Sequence, residues 1–358
     1  MKIVVTGTRG IPDILGGVET HCEELYPRLA ALGFDVTVVR RACYAADNRK
    51  EYKGVRLKNI FAPRSKSLEA FLHTFLAVIY AKMAKADVLH IHAVGPSLLM
   101  PLAKLLGLKT VMTHHGADYE RQKWGRAAKF MLRRGERYGV RFADKVIVIS
   151  ESIKQSISGR KDSILIFNGV NQPVLATDSA YIEHLGLQKG KYVLAMGRFV
   201  EEKGFDLLIK AFPKNAGFKL VIAGDADHET PYSQSLKSAE NVVLTGFVRG
   251  AKLNELLTHA RLFALPSFHE GLPIALLEAM SYGLPILASD IPANKALCLS
   301  DNDYFRCGDA DDLAQKLTEK LSQPFAPQNY DLTAYDWDKI ARQTAEVYAQ
   351  VLNGHPAK

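Results

Sequence analysis

Short β-rich apolar runs alternate with longer helical patterns from one end of this chain to the other, and that alternation restricts the fold more than any other feature. It argues for α/β architecture with parallel sheets, because each strand-to-strand connection is long enough to be a crossover helix. The runs fall into two sets. Residues 3–5, 36–39, 88–91, 110–113 and 146–149 make the first, and residues 192–196, 219–223, 242–245, 262–265 and 286–288 the second. Each set suffices for its own doubly wound sheet. Between them, residues 168–190 carry the breakers Gly169, Pro173, Gly186 and Gly190, so the junction is placed there.

A chain of 358 residues is also long for one hydrophobic core. The expected organisation is a domain over residues 1–168, a second over 169–336, and a helix over 337–352 that packs back on the first. Ile340, Val347, Tyr348 and Val351 form the apolar side of that last helix. Near the start, residues 19–32 read as a helix with Leu25, Leu29 and Leu32 on one face. No repeat recurs at a fixed period.

Composition excludes several classes. Hydrophobic residues at 47% and charged residues at 23% rule out a disordered chain. Cys22, Cys43, Cys298 and Cys307 include no C-x-x-C pair, so no zinc knuckle or thioredoxin-like site is readable; buried free thiols in a reducing cytoplasm are expected. The amino terminus is broken by glycine too soon for a signal peptide. The most apolar stretch, residues 68–84, includes Glu69, His73 and Lys82 and falls short of the roughly 20 residues a spanning helix needs. Cytoplasmic localisation is therefore expected.

Charge is unevenly placed. Up to Val170 there are 28 Lys and Arg against 15 Asp and Glu, whereas the remainder is net acidic by 5. Residues 121–145 alone hold nine basic and two acidic residues. Within them, residues 121–141 interleave Arg and Lys with Trp124, Phe130, Met131, Leu132 and Tyr138. This composition suits a helix resting on an anionic membrane surface, and equally a solvated basic helix. No nucleic-acid motif accompanies it.

In doubly wound sheets, ligands bind at the carboxyl ends of strands. The first such loop holds Gly7-Thr8-Arg9-Gly10 and then Gly16-Gly17-Val18-Glu19. It lacks G-x-G-x-x-G, and the second strand ends in Arg40-Arg41 where an NAD site wants an acid. No G-x-x-x-x-G-K-[ST] occurs. What remains is a Gly-Gly pair opening a helix, either a plain tight turn or a place where backbone N–H groups approach an anion. After the strand ending at Met196 come Arg198 and Lys203, which can clamp phosphates or simply face solvent. The strongest signal runs from Ser267 through His269-Glu270-Gly271-Leu272-Pro273 to Glu278. Pro273 suits a helix start, and Glu270 and Glu278 are a little over two helical turns apart.

These features together resemble the family-4 retaining glycosyltransferases with the GT-B fold. The marks are Gly16-Gly17-Val18-Glu19, Gly197-Arg198 with Glu202-Lys203-Gly204, Ile222-Ala223-Gly224-Asp225, Thr245-Gly246-Phe247-Val248, Asn168-Gly169-Val170 and the Glu270/Glu278 pair. The resemblance implies two Rossmann-like domains facing across a cleft, acceptor side first and nucleotide-sugar side second. It implies that Arg198 and Lys203 hold the donor diphosphate, that Glu278 binds the ribose and Glu270 the sugar, and that Gly17 offers its amide to the phosphate. Residues 246–248 would lie near the base. His115 matches a histidine placed beside the transferred sugar, although the adjacent His114 leaves open which ring takes that place. His90 and His92 read as strand-end packing or polar lining.

The implied chemistry is electrostatic: the acceptor hydroxyl attacks on the face the phosphate leaves, and a phosphate oxygen takes its proton. No cofactor and no metal are expected, and Asp225-Ala226-Asp227, which spells D-x-D, reads as a surface turn. The opening Thr6-Gly7-Thr8-Arg9-Gly10-Ile11-Pro12 is similar to a subgroup that includes polysaccharide rhamnosyltransferases. Expected partners are thus a UDP-, GDP- or dTDP-linked donor and a glycan or lipid-linked acceptor in capsule, lipopolysaccharide or exopolysaccharide synthesis. A peripheral position on the inner face of the membrane goes with that. A silent nucleotide-sugar sensor and an epimerase of the same fold are the alternatives.

Overall fold

The computed structural model describes residues 1–45, 47–63, 68–117, 119, 125–157, 160, 162–213, 217–226 and 229–354. The chain divides into two compact units, residues 1–169 with 335–358, and residues 170–334.

The first unit is built on strands β1 (Lys2–Thr6), β2 (Asp35–Arg41), β3 (Glu51–Tyr52), β4 (Val55–Ile60), β5 (Val88–His92), β6 (Thr110–His114), β7 (Lys145–Val148) and β8 (Ile164–Leu165). They lie in the order β3-β4-β2-β1-β5-β6-β7-β8, parallel except for the β3–β4 hairpin. The central strands are covered on both faces, which is why they read as unbroken apolar runs: Ile3, Val4 and Val5 are all fully buried. β4 instead alternates buried Val55 and Leu57 with exposed Arg56 and Lys58, as a strand nearer the edge does.

Helix Gly17–Ala31 buries Cys22, Leu25, Tyr26 and Leu29, which are related by spacings of three and four residues along one face. Leu32 does not share that face. It caps the helix and is 49% exposed, because the chain has already left the helical path there. The helix Trp337–Asn353 belongs to this unit and starts with Asp336 accepting the Lys339 N–H at 2.7 Å. Its Ile340, Val347, Tyr348 and Val351 enter the same core as Ile3, Val5, Leu25 and Leu29. Arg28 ties the two helices at the surface by an ion pair to Asp338 at 2.9 Å.

Helix Glu69–Met83 has an inside-out character. Glu69, His73 and Thr74 are buried, whereas Phe71 and Phe75 are exposed. Glu69 is held inside by Arg41 at 2.6 Å. Among the described residues, no helix is long and apolar enough to cross a membrane.

The second unit contains β9 (Tyr192–Met196), β10 (Lys219–Ala223), β11 (Val242–Gly246), β12 (Leu262–Leu265), β13 (Ile286–Ser289) and β14 (Tyr304–Phe305). Their order is β11-β10-β9-β12-β13-β14, all parallel. Its core joins Val193, Ala195, Phe205, Leu220, Ile222, Leu262 and Ala264 to Leu313 and Leu317 of helix Ala310–Ser322. The segment joining the units is not wholly irregular, since residues Ala180–His184 form a short helix. Of the four free thiols only Cys22 is buried; Cys298 and Cys307 are exposed in loops of the second unit, so the expectation of buried thiols fails for them.

Candidate functional site

In the second unit β9 pairs with β10 on one side and β12 on the other, so the loops leaving β9 and β12 part around the sheet's switch point. Doubly wound folds bind ligands in that crevice. The two loops carry Arg198 and Lys203 on one side and Glu270 on the other.

The loops are stitched together. The N–H of Phe268 donates to the Glu202 carbonyl at 2.8 Å. Gly204 adopts φ 63°, and a Cβ there would meet the Pro266 carbonyl oxygen at 2.4 Å, so only glycine lets the backbones come so close. This brings the Lys203 ammonium to Glu270 Oε1 at 2.6 Å, and the Ser267 hydroxyl donates to the same oxygen at 2.6 Å. Both charged side chains are largely buried. The ammonium has three donors, and Glu270 engages one of them.

Glu278 is half-buried in the second turn of helix Ile274–Ser281. That helix begins one residue later than the sequence suggests, with Pro273 as its cap in extended conformation. At the end of β11, the Phe247 ring is 41% exposed and Arg249 stacks on it at 5.4 Å. Asp225 is about half exposed and lies 3.5 Å from Lys237, while Asp227 is outside the described residues.

In the first unit the switch point lies between β1 and β5. The loop after β1 is shaped by Glu19, whose carboxylate accepts from the Thr8 hydroxyl, the Arg9 N–H and the Arg9 guanidinium at 3.0–3.3 Å. At Gly16, φ 146° and a would-be Cβ 2.2 Å from Glu19 Oε2 exclude any side chain. Gly17 follows, exposed at the helix N-terminus with nothing within 4 Å of where a Cβ would sit. No side-chain hydrogen bond caps this end, where the helix dipole is positive. Arg40 has a structural role: fully covered, it bonds to Asn59 and Asp47 and packs against Gly10.

The histidines resolve clearly. His114 turns to Glu136 of helix Arg126–Phe142 at 2.8 Å and is buried. His115 is half-buried, with Nε2 2.8 Å from His92 Nδ1. His90 and His92 are fully buried; His90 Nδ1 meets the Tyr348 hydroxyl at 2.6 Å and Nε2 the Thr113 hydroxyl at 2.7 Å, and His92 Nε2 bonds the Tyr26 hydroxyl. His21 completes the group, its Nδ1 2.9 Å from the Asn168 side-chain oxygen. Sequence alone marks neither His21 nor Tyr26, and it marks Tyr348 only as part of the apolar side of the last helix. Their spacing was visible, since His21 and Tyr26 lie on the buried side of one amphipathic helix, but which strand that side meets was not.

Burial holds these imidazoles neutral. It lowers His21 to about 4 and His90 to about 3, and pushes His92 and His115 well below the ordinary value. Each gains a proton more readily unfolded, near pH 6.5, than folded. Their contribution is therefore full above pH 6.5 and is lost as pH falls from there towards 4. Thermal melts of the whole chain should show the melting temperature dropping over that interval, with net proton uptake on unfolding at pH 5. A flat profile would contradict the neutral cluster.

Two parallel α/β units of this kind define the GT-B class of glycosyltransferase fold. The crystal structure of HepE from Anabaena with UDP-glucose shares it with a TM-score of 0.76 at 20% identity, over 98% of this chain and 100% of that one. The chain belongs to the family-4 GT-B glycosyltransferases: residues 15–172 match the family described as Glycosyltransferase Family 4, and residues 179–337 match Glycosyl transferases group 1. An uncharacterised glycosyltransferase of Methanocaldococcus jannaschii is 26% identical over 97% of this chain and 98% of its own. GDP-mannose:cellobiosyl-diphosphopolyprenol alpha-mannosyltransferase of Komagataeibacter xylinus is 27% identical over 74% of this chain and 72% of its own.

Proposed function

We propose that this glycosyltransferase retains configuration, needs no metal, and moves a hexosyl or deoxyhexosyl group from a nucleotide sugar to a glycan or lipid-linked acceptor of cell-surface polysaccharide. The observation that carries the reading is the Lys203–Glu270 pair at 2.6 Å, set at the switch point of the second sheet. The mannosyltransferase of Komagataeibacter xylinus, named for a nucleotide-sugar donor and a polyprenol-linked acceptor, supports the same substrate classes.

In this scheme the second unit is the donor domain. Lys203 and Arg198 neutralise the departing diphosphate, Glu278 takes the ribose hydroxyls, Glu270 takes the sugar and Phe247 offers its ring to the base. Gly17 supplies an amide for the phosphate and His115 a polar contact to the sugar. A phosphate oxygen removes the acceptor proton, so no side chain is needed as base. The cationic donors contribute most where charge accumulates on the leaving group.

A thermal-shift screen of UDP-, GDP- and dTDP-sugars with the free nucleotides tests this. The true donor at about 100 times its dissociation constant stabilises by about 2.7 kcal/mol. Transfer to an acceptor should then persist in EDTA, which separates the reading from a metal-dependent mechanism, and no product should form without acceptor, which separates it from epimerisation. No shift with any of the donors would overturn the reading.

Helix Arg126–Phe142 supports a peripheral membrane position for the first unit. Its Gly135 and Gly139 face inward, where a Cβ would strike the Val94 carbonyl at 2.2 Å and Met112 Sδ at 2.3 Å, so the helix packs closely. Outward it shows Arg133, Arg134, Arg137 and Arg141 with Phe130, Met131 and Phe142. Residues 121–124, including Trp124, lie outside the described residues. In flotation, vesicles with anionic lipid should carry the protein and neutral vesicles should not; R133E/R137E should abolish the difference. Wild-type protein left in the soluble fraction would sink the proposal.

A further inference from the structure

We infer that His21, His92 and His115 form a binding site for one divalent transition-metal ion of the zinc class. The three side chains come from different elements, the helix after β1, the end of β5 and the loop after β6. One ring nitrogen from each lies within 4.8 Å of the others. The ring centroids are 4.9 Å apart for His21 and His115, 5.5 Å for His21 and His92, and 5.1 Å for His92 and His115.

The hydrogen bonds around the group fix the lone pair of His21 and are compatible with lone pairs on His92 and His115. The side-chain oxygen of Asn168 can only accept, so His21 Nδ1 carries the proton and Nε2 the lone pair. That Nε2 is buried and has no hydrogen-bond partner, and His21 as a whole is only 3% exposed. A buried unpaired acceptor is costly, and a bound cation removes the cost. His92 Nε2 meets the Tyr26 hydroxyl, whose oxygen accepts when that nitrogen is protonated. His92 Nδ1 and His115 Nε2, now sharing one proton at 2.8 Å, then both present lone pairs. The His92 proton only moves from Nδ1 to Nε2, so the rings stay neutral and none is released.

Asn168 and Tyr26 are thus the outer partners that orient metal-binding histidines in general. No carboxylate or thiolate is among the three donors, and an imidazole set favours zinc, copper, nickel or cobalt over magnesium, calcium or manganese. Bonds of about 2.0–2.1 Å in a tetrahedral site separate ligand nitrogens by about 3.3 Å. The three nitrogens, now within 4.8 Å of one another, have to draw together around the ion to reach that spacing. His115 is half-buried where His21 and His92 are buried, so its side is where an ion enters and where water takes the fourth position. A metal there competes with the sugar for His115, so zinc inhibits transfer; this consequence alone rests on the proposed function.

The test is cobalt(II) titration of the full chain in a C43S/C298S/C307S background, followed by visible absorption. One cobalt per chain is expected, with ligand-field bands and no thiolate charge-transfer band, displaced by zinc. His21→Gln should weaken binding by more than about 100-fold, and Asn168→Ala by about 10- to 100-fold, as lost outer partners do. His115→Gln gives the same reading should His21→Gln fail to fold. No bands in the C43S/C298S/C307S protein, or bands that persist unchanged when His21→Gln or His115→Gln is added, would overturn the site. Neither outcome depends on a nucleotide sugar.

Discussion

Lys203→Ala lowers the turnover of sugar transfer by about 100-fold or more, the scale on which one preorganised charge donor acts at a leaving group. The loss should appear in kcat, because the departing diphosphate carries more charge on its bridging oxygen than the bound donor does. The substitution also leaves the largely buried Glu270 with the Ser267 hydroxyl but without its cation. Circular dichroism and a melting curve therefore accompany the rate measurement. Lys203→Arg should not restore the rate, since a planar fork does not fit where a compact ammonium sits 2.6 Å from Glu270. If Lys203→Ala stays within about threefold of wild type, Lys203 is not the phosphate donor.

Gly224→Ala should be the most disruptive single methyl group in the second unit. Gly224 follows β10 with φ 154°, and a Cβ there would lie 1.8 Å from the Gly197 carbonyl oxygen. That carbonyl is backbone and cannot swing aside. Around it, the Gly197 N–H donates to the Ala223 carbonyl at 3.0 Å, the Gly224 N–H to the Gly246 carbonyl at 2.9 Å, and the Phe199 N–H to the Asp225 carbonyl at 2.9 Å. Separating the strand ends breaks these bonds and displaces Arg198 together with its loop. The expected loss is about 3 kcal/mol or more, the range for backbone strain combined with overpacking. The melting temperature should fall by about 6–12 °C for a unit of this size. A fall below about 2 °C would show that the strand ends can part. Gly17→Ala is the useful contrast: its site is open and its φ is ordinary, so lost donor affinity with unchanged stability would report on phosphate approach alone.

Much of this was legible in the chain. All ten apolar runs read as strands fall on strands, most of them covered on both faces and so nearly continuously apolar, with β11 at the sheet edge only half-buried. The elements that escaped are those where this logic weakens. β4 alternates, β3, β8 and β14 are two residues long, and helix Glu69–Met83 turns its acid inward and its phenylalanines outward. Leu32 shows the limit of periodicity: the pattern continues one residue past the point where the helix ends. In the candidate site, Lys203 and Glu270 were suspected separately from their loops. Nothing in their separation of 67 residues places them 2.6 Å apart.

The sequence by itself determined the class of architecture and the loops worth examining. Strand period, glycine breaks and proline positions are local consequences of backbone sterics and burial. Tertiary structure alone decided which residues meet. The strand order makes β9 and β12 neighbours and so pairs the lysine with the glutamate; the order β1-β5-β6 gathers His21, His92 and His115 around a buried lone pair. Histidine is apolar enough to sit in a strand and polar enough to line a site. Its role is therefore fixed by the acceptor or donor it faces, such as Asn168, Tyr26 or Glu136, and that partner comes from a distant part of the chain.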